Sequence, residues 1–95
     1  MLLSILVMTC ATFGTSQVEC DVRVKYIHHD ESQITCQVSA KGAGRMLTNN
    51  AGNDKKFKLV SQKTDCLTPG DMNLVLNSLP EFMNDNDYKY SLTFY

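Results

Sequence analysis

The first eighteen residues of this 95-residue chain carry no charged side chain, and the first to do so is Glu19. The apolar run within that stretch, Leu2, Leu3, Ile5, Leu6, Val7 and Met8, is too short to span a bilayer, which takes about 20 apolar residues. A short apolar run followed by small residues has the layout of a secretory leader. Gly14-Thr15-Ser16 offers cleavage after Ser16, with cleavage after Gly14 as the nearest competitor. No Lys or Arg precedes the run, and a buried N-terminal strand is the other use such residues can have. Read as a leader, residues 1–16 predict export and leave a single small β-rich domain, 17–95, with no transmembrane segment.

A domain of that size buries only about 60–65% of its unfolded surface and benefits from a staple. Of the four cysteines, Cys10 leaves with the leader, and Cys20, Cys36 and Cys66 remain. One bridge and one free thiol is the simplest count in an oxidising compartment. Nine Lys+Arg against ten Asp+Glu, with 43% hydrophobic residues, excludes a disordered chain and a histone-like polycation.

Beyond the leader the chain reads as strands. Val18, Cys20, Val22, Val24 and Tyr26 alternate with Glu19, Asp21, Arg23 and Lys25, which is the period of a half-buried strand. His28-His29-Asp30-Glu31-Ser32 reverses the chain, and Ile34, Cys36, Val38 and Ala40 alternate again, so the two runs form a hairpin. Tyr88, Tyr90, Leu92 and Phe94 give a strand as clear as the first, with core packing expected for the tyrosines. The stretch 69–79 fits either a strand at 72–77 or a short helix with Thr68-Pro69 as its start, and Pro80 favours the strand by breaking a longer helix. The expected strands are 18–27, 33–40, 45–48, 56–62, 72–77 and 88–94. They make a mainly all-β domain, a small six-stranded antiparallel sandwich or barrel.

In the expected hairpin Cys36 lies across from about Lys25, away from Cys20, so those two are poor partners. Cys66 is left to pair with Cys20 or with Cys36. A Cys20–Cys66 bridge would be worth roughly 3–4 kcal/mol by loop entropy and would leave Cys36 as a small buried hydrophobe.

No residue cluster reaches the specificity of a catalytic, metal or cofactor signature, and no cofactor is expected. His28, His29, Asp30 and Glu31 combine imidazoles and carboxylates, yet neighbours on a chain reversal do not converge as zinc ligands or an acid–base pair must. They read as a solvated turn. Lys41, Arg45, Lys55, Lys56, Lys58 and Lys63 are opposed only by Asp54, a basic window that could meet anionic lipid, nucleic acid or an acidic partner, although Lys56 and Lys58 read first as the solvent side of a strand that protects a sheet edge. With a pI near 6.0, nucleic acid is not the expected partner. Asn84-Asp85-Asn86-Asp87 reads as a turn rather than a calcium loop.

The short leader, the mature length, the six strands, Cys20 in Val-Glu-Cys-Asp and Cys66 in Thr-Asp-Cys-Leu together resemble the MAX-type, ToxB-like effectors secreted by plant-pathogenic fungi. The resemblance implies a six-stranded sandwich, a Cys20–Cys66 bridge and a non-enzymatic virulence role through binding host proteins, sometimes by an exposed strand edge; Cys36 departs from the simplest two-cysteine form and is expected as a free thiol. The expected contacts are Lys55, Lys56, Lys58, His28 and His29 on a secreted monomer, with translocation into host cells as an additional destination. The alternatives are a ribonuclease-like hydrolase using His28 or His29 with Glu31, or a secreted inhibitor or toxin.

Overall fold

A computed structural model describes residues 1–95. Six elements follow in the order β1 (Ser4–Phe13), β2 (Glu19–Tyr26), α1 (Gln33–Ala51), β3 (Phe57–Leu67), α2 (Pro69–Asp85) and β4 (Lys89–Phe94). The strands form one mixed sheet in the order β3-β1-β2-β4. β1 is antiparallel to both β2 and β3, and β2 is parallel to β4. The connections β2-α1-β3 and β3-α2-β4 cross the sheet in opposite directions, and the right-handed crossover rule then puts the helices on opposite faces. The core is divided accordingly. Met72, Leu79 and Met83 of α2 pack on Leu6, Cys10, Cys20, Val22 and Val24, whereas Cys36 and Ala40 of α1 pack with Ile5, Val7 and Cys66.

This three-layer architecture corrects the six-stranded antiparallel sandwich. Residues 18–27, 56–62 and 88–94 are strands as expected, but 33–40 and 45–48 belong to α1, and 72–77 belongs to α2. In α1 the alternation is coincidental. Cys36, Ala40 and Gly44, spaced by four, face the sheet, while Ile34 and Val38 are 79% and 63% exposed. Ser32 caps the helix by accepting from the Thr35 N–H at 3.1 Å. Thr68 caps α2 and Pro69 occupies its first turn, where the missing N–H costs nothing. The helix runs through Pro80, which is exposed, while Leu79 and Met83 beside it are anchored in the core.

The residues assigned to a leader form the central strand. β1 pairs on both edges and is buried on both faces from Leu3 to Val7. A strand covered by helices on both sides reads as a near-continuous apolar run, which is also what a leader requires. Gly14-Thr15-Ser16, read as the cleavage region, is the β1–β2 turn. Gly14 has φ +80°, and Lys56 lies so close that a Cβ there would sit 3.1 Å from its Cδ. A chain cleaved after Ser16 lacks the strand on which the sheet is built.

The cysteines pair differently as well. Cys10 lies opposite Cys20 in the β1–β2 ladder and is bonded to it, and Cys36 of α1 is bonded to Cys66 of β3. The expected Cys20–Cys66 bridge is absent, and Cys36 is not free. The physical reason is the sheet itself: Cys20 faces α2, whereas Cys66 faces α1. Each face of the sheet therefore carries one bridge.

Candidate functional site

α1 lies over β3 and β1, so on its side of the sheet the β2–β4 half is uncovered. Strand alternation decides what this half presents. The even-numbered residues of β2 face α2, so Glu19, Asp21, Arg23 and Lys25 face the other way. Two adjoining hollows occupy the space beside α1, of about 660 and 270 Å³, and share Arg23 and Leu47. The larger reaches Glu19, Asp21, Phe13 and Phe57, and the smaller reaches Lys25, Met46 and Tyr95. Together they form a groove whose floor runs from Glu19 to Lys25, roughly 20 Å at strand rise.

Charge changes sign along this floor, with Glu19 and Asp21 towards one end and Arg23 and Lys25 towards the other. The middle is held by an ion pair. Arg23 Nε donates to Asp21 Oδ2 at 3.0 Å, and Nη2 lies 3.0 Å from the same oxygen. The Tyr95 ring lies 5.6 Å from the Arg23 Cζ, within cation–π range. The hydrogen bond that Arg23 donates to Asp21, reinforced by the carboxylate's charge and opposed by partial desolvation, raises the Arg23 pKa above its ordinary value. Arg23 is therefore a permanent cation with a fixed orientation. Ser91 and Thr93 of β4 line the groove beside it and add hydroxyls that can donate or accept.

The residues singled out in the sequence fall at opposite ends of the sheet. Phe57 pairs with Phe13, and their rings lie 5.6 Å apart, so Lys55, Lys56 and Lys58 flank the groove's Phe57 end. His28 and His29 follow β2, whose Tyr26 pairs with Ser4 at the other end of β1. The separation along β1 is roughly 30 Å, and the two groups do not share one surface. His29 Nε2 lies 2.9 Å from Glu31 Oε2, but the His29 side chain is largely in solvent and neither residue lines the groove. No group of three or more His, Cys, Asp or Glu side chains is placed to hold a metal ion. Asn84 and Asp85 end α2, Asn86 caps it, and Asp87 turns the chain with φ 55°.

The groove was hidden in the sequence because it is created by what α1 leaves uncovered. The signal available was the alternating charged set Glu19, Asp21, Arg23 and Lys25, which reads only as the solvent side of a strand. No helix is long and apolar enough to cross a membrane. No family model, curated protein or solved structure matches the chain.

Proposed function

We propose that the protein acts outside the cytosol as a non-enzymatic binding module that takes an extended segment of a partner protein into the groove beside α1. The single observation that carries this reading is the open strip of sheet from Glu19 to Lys25, with apolar walls and a fixed Arg23–Asp21 pair at its centre. Its length suits about six extended residues. Acidic side chains of the partner would meet Arg23 and Lys25, and basic ones Glu19 and Asp21. Lys55, Lys56 and Lys58 would add contacts beyond the Phe57 end. Two bridges and no free cysteine support an oxidising location. A virulence role towards a host protein is one setting for such a module.

The test is selection of a displayed random-peptide library against the oxidised chain, followed by affinities for variants. Peptides selected by the wild type should carry opposite charges at their two ends and bind Arg23→Glu at least about tenfold more weakly. The His28→Ala, His29→Ala double variant should bind as the wild type does. Selected peptides indifferent to Arg23→Glu would remove the groove from consideration. RNA cleavage that disappears in His29→Ala would instead favour the hydrolase for which the His29–Glu31 contact argues.

A further inference from the structure

β4 is an edge strand, and its backbone has two distinct sides. Lys89 N–H donates to Val18 O at 3.0 Å and Tyr95 N–H donates to Val24 O at 2.8 Å. Strand directions alternate, so Ser91 and Thr93 also turn their backbone groups towards β2. Tyr90, Leu92 and Phe94 turn theirs outwards, where no strand lies beyond β4. The side chains of these three residues share the α2 side of the sheet with Val22 and Val24, but α2 does not cover them. They are 40%, 38% and 52% exposed, and the Phe94 ring stacks on Tyr26, itself 37% exposed, at 6.2 Å.

We propose that a second copy of this chain occupies this edge, the two β4 strands pairing antiparallel about a two-fold axis at Leu92 and joining two sheets into one of eight strands. The register follows from the backbone. Only outward-facing residues can exchange bonds, and centring on Leu92 pairs Leu92 with Leu92 and Tyr90 with Phe94 twice. Every outward N–H and C=O of the three residues is then used, in six hydrogen bonds. The same register places an aromatic ring opposite an aromatic ring at both flanking positions, a favourable cross-strand pair, and brings no two charges face to face. The only charged residue of β4 is Lys89, which lies outside the bonded set.

The other edge is built to prevent such pairing. β3 carries Lys58 and Lys63 and an irregularity opposite Cys10 and Ala11, and lysines and bulges are the usual protection of a free edge. β4 has neither. The helices leave room, because α2 lies over β1 and β2 and its symmetry mate would lie roughly 19 Å away at strand spacing, beyond the roughly 10 Å of packed helices. On the opposite face the two uncovered half-sheets become continuous. The exposed apolar side chains offer roughly 300 Å² per copy, less than a standard interface, so the ladder contributes much of the contact and the dimer is weak.

The experiment is sedimentation of the full oxidised chain up to about 1 mM, with hydrogen exchange at both ends of the range. The weight-average mass should rise from 10.7 kDa towards twice that value. The amides of Tyr90, Leu92 and Phe94 should gain protection with concentration, while those of Ser91 and Thr93 are protected throughout. Leu92→Lys, which opposes two charges on the axis, should weaken association at least about tenfold. Leu92→Pro removes an outward donor that the internal ladder does not use and should act in the same direction. A wild-type chain that stays at monomer mass at about 1 mM overturns the proposal, as does association accompanied by no added protection of the three amides. Association unchanged in a folded Leu92→Lys variant overturns it too, by assigning the contact to another surface.

Discussion

Gly44 and Gly42 stand two residues apart in α1, and alanine at each should change stability in opposite directions. A Cβ on Gly42 would meet nothing within 4 Å, whereas one on Gly44 would sit 2.8 Å from Thr64 Cγ2 and 2.9 Å from Gln62 Oε1. Neither neighbour is free to yield. Thr64 belongs to β3, and the two hydrogens of Gln62 Nε2 are shared among Thr9 Oγ1 at 2.9 Å, Gly44 O at 2.8 Å and Thr48 Oγ1 at 3.0 Å. Pushing Gln62 aside would strain bonds worth about 1 kcal/mol each, and overpacking costs typically about 1–3 kcal/mol. Alanine gains about 1 kcal/mol of helix propensity at either site. The balance for Gly44→Ala is a loss of about 1–3 kcal/mol, and for Gly42→Ala a gain of up to about 1 kcal/mol. For a domain of this size each kcal/mol moves the Tm by about 4–8 °C, so the variants should straddle the wild type. Urea unfolding followed by circular dichroism measures both, with unchanged m-values confirming that stability alone has moved. Gly44→Ala as stable as Gly42→Ala would refute the close approach of α1 to β3.

Removing residues 1–16 should abolish folding rather than trim it. A chain beginning at Gln17 should show no cooperative thermal transition, and a native-like transition would return the apolar run to the role of a leader. The two bridges should differ in value, because they are separated by 10 and 30 residues in sequence. Loop entropy gives about 2.7 kcal/mol for Cys10–Cys20 and about 3.6 kcal/mol for Cys36–Cys66, measurable by urea denaturation of the paired serine variants. Asp21→Ala should cost less than about 1 kcal/mol, because the Asp21–Arg23 pair is more than a third exposed on both sides. A larger loss in thermal unfolding would mean that the groove's ion pair is structural.

The strands that face solvent on one side were legible, because Glu19–Tyr26 and Lys89–Phe94 show the alternation that a half-covered sheet requires. The central strand was not, since Leu3–Val7 is covered on both sides and a continuous apolar run has no period to read. Assigning it to a leader removed Cys10 from the count, left an odd number of cysteines and so forced the pairing astray. Restoring β1 to the sheet makes the number even, with one pair on each face. The helix α1 was obscured by Ile34, Cys36, Val38 and Ala40, which satisfy a period of two as well as the four-residue spacing of Cys36, Ala40 and Gly44. Gly42 and Gly44 fall between the expected strands 33–40 and 45–48, where glycine suits a turn, although Gly44 is there for its lack of a side chain. Ser32 as a cap was the available counter-signal. In α2, Thr68-Pro69 was the signal for the helix, and Pro80 turned the reading to a strand at 72–77 instead. Tyr90 was read as core because alternation reveals a shared face and not whether a helix covers it, whereas Tyr88, just before β4, does pack against the core.

The account stands on the apolar N-terminal run being the central strand, and the cysteine pairing reports that directly. Non-reducing peptide mapping of the full-length chain, purified under oxidising conditions, should recover Cys10 joined to Cys20 and Cys36 joined to Cys66, with no free thiol. Recovery of Cys20 joined to Cys66, with Cys10 and Cys36 unpaired, would contradict the sheet order and the placement of the two helices with it.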